Sequence, residues 1–150
     1  MAHRTYRYFD GPVLYPFGFG LSYSQFRYSA IHLDGMIASS TRSITAHVRV
    51  RNTSRVAGSE VAELYIQPPQ GKGAPRLALE GMKRITLQPG EQRELTFVVT
   101  PQQMGTVDDA GQRDLIAGRY RLFISGSQPL LNSPKTGTWF EVRQTQGRAP

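Results

Sequence analysis

Hydrophobic and polar residues alternate with a period of two along much of the chain. In Ser43–Asn52, Ile44, Ala46, Val48 and Val50 take one phase, and Thr45, His47, Arg49 and Arg51 take the other. Successive side chains on an extended strand point to opposite faces, so this pattern predicts a strand with one face on a core. Leu95, Phe97 and Val99 alternate in the same way with Glu94, Thr96 and Val98. Tyr120, Leu122 and Ile124 alternate with Arg119, Arg121 and Phe123, and Thr138, Phe140 and Val142 with Trp139, Glu141 and Arg143. Phe26–Leu33 and Glu60–Gln67 are strand candidates with less regular alternation.

Turn-forming clusters punctuate these runs: Asp34-Gly35, Asn52-Thr53-Ser54, Pro68-Pro69-Gln70-Gly71, Gln88-Pro89-Gly90-Glu91, Asp109-Ala110-Gly111 and Ala117-Gly118. Helical periodicity is missing, and Pro101-Gln102-Gln103-Met104 has room for a single helical turn. About seven short strands with such punctuation predict an all-β fold, an antiparallel β-sandwich of the immunoglobulin or fibronectin type III kind. Tyr120 follows Gly118-Arg119 at the start of a strongly alternating strand. That position suits a tyrosine corner, in which the hydroxyl reaches back to upstream backbone; an ordinary core ring is the alternative.

The first segment has a different character. Tyr6, Tyr8, Phe9, Tyr15, Phe17, Phe19, Tyr23 and Phe26 crowd a stretch that Gly11, Pro12, Pro16, Gly18 and Gly20 keep from regular helix. It predicts an extended, irregular strip that lays its rings on the sandwich or on a neighbouring domain. The glycines of Gly18-Phe19-Gly20 are expected to relieve crowding between rings. The organisation expected is therefore a lead-in over 1–22, a sandwich over 23–145 and a tail over 146–150.

Composition narrows the chemistry. The 150 residues suit one domain with a core that needs no staples. With no cysteine, disulfides, thiolate zinc sites and a cysteine nucleophile are excluded. The longest apolar stretches, such as Gly11–Leu21, fall short of the about 20 residues of a membrane helix and carry Pro and Gly. The opening residues lack the apolar region of a secretory signal.

A net charge of +7 invites a polyanion partner. Lysine occurs only at Lys72, Lys83 and Lys135, so the charge is mostly arginine. Those arginines are spread through outward strand phases, as at Arg49, Arg51, Arg119 and Arg121. The spread favours a solvated or partner-facing surface over a nucleic-acid patch.

Candidate chemistry is sparse. His3, His32 and His47 lie on separate segments with no G-x-S-x-G elbow. Asp108 and Asp109 are adjacent, so on a strand they face opposite ways and cannot flank one glycosidic bond. They are expected at a hairpin tip. Neither a calcium-loop spacing nor a zinc ligand cluster nor a nucleotide-binding glycine loop appears, so no cofactor or metal is expected.

Longer motifs carry a resemblance. Arg4-Thr5-Tyr6-Arg7-Tyr8-Phe9 and Leu14-Tyr15-Pro16-Phe17-Gly18-Phe19-Gly20-Leu21-Ser22-Tyr23-Ser24 resemble the junction of glycoside hydrolase family 3 between its second catalytic domain and its C-terminal fibronectin type III-like domain. The resemblance continues through Val48-Arg49-Val50-Arg51-Asn52-Thr53 with Gly58-Ser59-Glu60-Val61, Leu79–Arg84 with Leu87–Glu91, and Val107–Gly111 with Gly118-Arg119-Tyr120. It departs at Phe19, where the family usually has His or Tyr, and at Gln112-Arg113, where many members have Trp.

The resemblance implies that the nucleophile and acid/base residues lie in domains upstream of residue 1, so no catalytic residue is assigned here. It implies an accessory domain, of a β-xylosidase or next a β-glucosidase, that docks on catalytic domains. Docking would use Tyr6, Tyr8, Phe9, Tyr15, Pro16, Phe17, Gly18, Phe19, Gly20, Leu21 and Tyr23. The chain is then expected to be a fragment or an excised domain, with a periplasmic or secreted parent. A free-standing binding module is the alternative, with Tyr15, Phe17 and Trp139 as rings for sugar stacking. Neither nucleic acid nor membrane is expected as a partner.

Overall fold

The computed structural model describes residues 5–9, 11–12, 14–18, 20, 23–71, 74–107, 111–129 and 137–144. Phe19, Leu21, His3, Asp108, Asp109 and the 146–150 tail lie outside the described residues.

Two sheets face each other. The first is built on β4 (Ile44–Asn52), with β7 (Gln92–Val99) along one edge. The other edge takes β1 (Phe26–Tyr28) and then β2 (His32–Leu33). The second sheet has five strands in the order β3 (Ile37–Ser39), β11 (Gly137–Arg143), β10 (Gly118–Ser125), β5 (Gly58–Gln67) and β6 (Ala78–Leu87). The single-turn helix α1 (Pro101–Met104) and the short hairpin of β8 (Thr106–Val107) and β9 (Arg113–Asp114) close one end.

The core follows the predicted phases. Ile44, Ala46, Val48 and Val50 are buried between the sheets while Arg49 and Arg51 stay exposed. Leu95, Phe97 and Val99 of β7 lie beside them in the same sheet, and Leu122, Ile124, Phe140 and Val142 are supplied by the second sheet. Pro101–Met104 forms the helical turn, fastened by a capping box. Thr100 Oγ1 accepts from the Gln103 N–H at 3.4 Å, and the Gln103 side chain accepts from the Thr100 N–H at 3.0 Å.

Three features differ from the sequence pattern. Phe26–Leu33 is broken into β1 and β2 because Ser29 interrupts the ladder. Its N–H donates to Arg49 O at 2.9 Å, but its hydroxyl, not its carbonyl, accepts from the Arg49 N–H at 2.9 Å. The Asp34-Gly35 turn, with Gly35 at φ 96°, then sends the chain across to the other sheet. There β3 pairs with β11 in parallel, where an antiparallel ladder was expected. The third is β6, an edge strand that the period-two pattern does not reveal.

Candidate functional site

The aromatic lead-in is tied to the outer face of the five-stranded sheet. Residues 5–9 make one turn, with the Tyr8 and Phe9 N–H groups donating to Thr5 O at 2.9 and 2.8 Å. The Arg76 N–H then donates to Arg7 O at 2.8 Å. Tyr6 projects onto the sheet, where its hydroxyl accepts from the Leu79 N–H at 3.3 Å. Its ring meets Tyr65 edge-on at 6.5 Å and stacks on Phe17 at 5.2 Å. Phe17 is anchored through its backbone: its carbonyl accepts from the Gln128 N–H at 2.7 Å.

This cover explains two side chains in the wrong phase. Tyr65 and Phe123 are register partners that point away from the main core, yet both are fully buried. With Leu77 they form a second apolar cluster, against which Tyr6 and Leu79 pack. The Tyr65 hydroxyl donates to Glu63, a carboxylate only 5% exposed. Burial first, and then that bond to Glu63, hold the Tyr65 hydroxyl well above the usual phenol range.

Gly18 lies directly on the Glu63 carboxylate. It adopts φ 78°, and a Cβ there would come within 2.6 Å of both carboxylate oxygens. The expectation that Gly18 and Gly20 relieve ring crowding is therefore replaced. Gly18 makes room for a buried acid in a left-handed conformation that glycine adopts readily, and Gly20 has no neighbour within 4 Å of such a Cβ.

The remaining strip residues point outward. Leu14 is 93% exposed, Tyr15 72% and Tyr23 100%, with Phe9 and one side of Phe17 exposed as well. Tyr8 and Pro16 are half-buried. The three rings named for sugar stacking have different surroundings. Phe17 is stacked on Tyr6. Trp139 lies against the guanidinium groups of Arg119 at 4.9 Å and Arg121 at 5.4 Å. Tyr15 is the most exposed of the three. Tyr120, by contrast, is wholly internal. Its hydroxyl donates to Ile116 O at 2.9 Å, with Met104 O at 3.4 Å, and burial pushes its pKa up to about 12.

Two other places hold titratable groups. A cavity of about 290 Å³ lies between Arg7 and Tyr8 of the lead-in and the α1 end of the sandwich. Glu80 is the one carboxylate among its described lining residues, 4.0 Å from Arg7. Burial raises its pKa, against the pull of Arg7 and Arg113. One carboxylate lacks the partner that general acid and nucleophile work on a glycoside requires.

The β2–β4 pairing brings His32 and His47 together, with ring centroids 6.3 Å apart, which their sequence separation concealed. His47 Nε2 bonds Asp34 Oδ2 at 2.9 Å and Nδ1 bonds Thr96 Oγ1 at 3.1 Å. Nearby Ser29 donates its hydroxyl to Ala30 O, leaving no Ser–His link. Among the described residues no group of three or more His, Asp or Glu is poised to hold a metal ion, and no helix is long and apolar enough to cross a membrane.

Comparison with known proteins places these features in context. The model of the fibronectin type III-like domain matches residues 60–128. A β-xylosidase of Formosa agariphila is 32% identical over 123 residues, covering 81% of this chain and 17% of that protein. A periplasmic β-glucosidase of Salmonella typhimurium is 35% identical over 124 residues, covering 80% of this chain and 16% of that protein. A solved structure of a β-glucosidase from Erythrobacter marinus superposes with a TM-score of 0.78 at 29% identity, over 93% of this chain and 18% of that one. The chain thus spans less than a fifth of the length of each of these three relatives.

Proposed function

The chain belongs to the fibronectin type III-like domains of family 3 glycoside hydrolases, and we propose that it acts as a non-catalytic accessory domain that docks on the catalytic domains of such an enzyme. The observation that carries this reading is the division of labour within the lead-in. Tyr6 and Phe17 are fixed on the sandwich, while Leu14, Tyr15 and Tyr23 are held outward from the same short segment. Large apolar side chains on such a fastened segment suit burial against a second protein surface.

Its partner, on this reading, is the pair of catalytic domains that precede the motif in the family, and the parent acts on β-xylosides or β-glucosides. The strip supplies apolar contact area. The backbone bonds at Arg7 and Phe17 keep that area in a fixed pose relative to the sheets, so docking costs little ordering entropy.

The test is affinity between this chain and family 3 catalytic domains expressed without their own accessory domain. Saturable binding is expected, weakened about tenfold or more when Leu14 and Tyr23 are both changed to Ser. No binding at high micromolar concentration overturns the proposal. Hydrolysis of an aryl xyloside or aryl glucoside by the purified chain overturns the non-catalytic assignment.

A further inference from the structure

We propose that the outer face of the four-stranded sheet binds a carboxylate-bearing polysaccharide through Arg27, Arg49 and Arg51. The inference rests on the accessory-domain reading above and names a second surface for it. Arg49 and Arg51 share the outward phase of β4, and the β1–β4 register sets Arg27 directly opposite Arg51. All three are exposed, and none makes an ion pair among the described residues. Like charges directly opposed across a sheet are destabilising. No ion pair among the described residues offsets that cost at Arg27–Arg51, and an external anion would do so.

Position makes the face available. The ties of the lead-in to the sandwich at Tyr65, Leu79, Glu80, Arg76, Gln128 and Glu63 fall on the five-stranded sheet or the loops beside it. The arginine face belongs to the opposite sheet, so a domain docked by its lead-in keeps these arginines turned outward.

Geometry and residue type select the ligand. Arg49 and Arg51 are two residues apart, about 6.8 Å along the strand, and Arg27 lies one strand away at about 4.8 Å. Three forks on a flat sheet face suit repeated anionic groups on an extended chain. Beside Arg49 the face dips into a hollow of about 170 Å³ lined by Ser29, His32, His47 and Glu94, which gives a sugar ring a place to rest. All three cations are arginine, whose planar guanidinium matches a carboxylate bidentately. β4 and β7 turn no Phe, Tyr or Trp outward on this face, so the stacking platform of single-stranded nucleic-acid binders is missing. Glu94, opposite Arg49 in register, is the acid on this face nearest the row in the sheet ladder, and it leaves Arg51 and Arg27 facing Gln92 and each other. A carbohydrate polymer carrying uronic acids meets all of these demands in the setting of a glycoside hydrolase.

The experiment is titration of the full chain with polygalacturonate and, separately, with neutral xylan of similar length. At low ionic strength we expect binding to polygalacturonate that weakens with added salt, and none to xylan. Changing Arg27, Arg49 and Arg51 together to Gln should cut affinity about tenfold or more. The triple Lys variant keeps the charge and should fall between the two, which guards against a misfolded Gln variant. Arg119→Gln with Arg121→Gln, on the other sheet, should change affinity less than about twofold. Equal binding to xylan, no binding to polygalacturonate, duplex DNA bound as tightly as polygalacturonate, or an equal loss in the Arg119/Arg121 variant each overturns the inference. The triple Gln variant should bind the catalytic domains as the parent does. Failure of the unmutated chain to dock on the catalytic domains, with its polygalacturonate binding intact, counts against the accessory reading alone.

Discussion

Glu60 joins the two sheets at the margin of the core, accepting from the Tyr28 hydroxyl at 2.8 Å. Burial lifts its carboxyl pKa above the ordinary 4.5 and Glu63 adds to the lift, while the Tyr28 bond pulls the other way. An acid with a raised folded pKa binds its proton more tightly in the folded state. Its ionised form therefore destabilises, and that cost appears as pH rises from about 4.5 through the folded pKa. Glu60→Gln keeps an acceptor for Tyr28 and removes the charge. Urea midpoints should show Glu60→Gln above the parent at pH 7, with the gap closing by about pH 4. A gap that widens on acidification contradicts the assignment. Nothing in the sequence around Glu60 announced this role, because Tyr28 lies 32 positions away. Asn52 is the contrary case. It sits in a recognisable turn signal, and its buried amide donates to Val56 O at 2.8 Å and Leu87 O at 3.1 Å while its oxygen accepts from the Ser54 N–H at 2.9 Å. Its partners are mostly local, so the signal and the structure coincide.

At the scale of elements, legibility depended on what covers each face. β4 and β7 each have one buried and one open face, and a clean period of two reported them. β5 and β10 carry Tyr65 and Phe123 on a face that the lead-in covers, so burial runs through consecutive positions. This blurs the alternation of β5, while β10 still alternated clearly enough to be read and concealed only the burial of Phe123. β6 escaped notice because its phase slips. Leu64 pairs with Gly81 and Tyr65 with Leu79, leaving Glu80 as an extra residue in a β-bulge. Of the candidate site, the ring-rich strip was evident from composition, but which rings turn inward depends on Tyr65, Gln128 and Glu63, all distant in sequence. Tyr120 binds the entry of β10 to the preceding loop and to the end of α1 through Ile116 O and Met104 O. Tyr120→Phe deletes the donor and leaves Met104 O buried and Ile116 O part-buried without it. It should cost about 1–3 kcal/mol, read as a lower urea midpoint with an unchanged m-value. An unchanged midpoint means that the hydroxyl does not secure this junction.

For the molecule as a whole, the question is whether lead-in and sandwich form one cooperative unit. Among the described residues, no lead-in side chain packs on the main core between the sheets. The outer cluster of Tyr65, Leu77 and Phe123 is different, because Tyr6 packs on it from outside and Phe17 stacks on Tyr6. A chain beginning at Tyr23 keeps all eleven strands and loses that cover. Uncovering these rings and losing Tyr6 burial should cost about 2–3 kcal/mol, or roughly 5–10 °C in Tm for a domain near this size. The bared patch should also bind a hydrophobic dye that the full chain ignores. The full chain should unfold in a single transition, since the bonds at Arg7, Phe17 and Tyr6 couple the segment to β6 and to the end of β10. A truncated chain with unchanged Tm and no dye binding makes the lead-in a passenger on the sandwich. The outward pose of Leu14, Tyr15 and Tyr23 would then owe nothing to the fold, and the docking proposal would lose its structural basis.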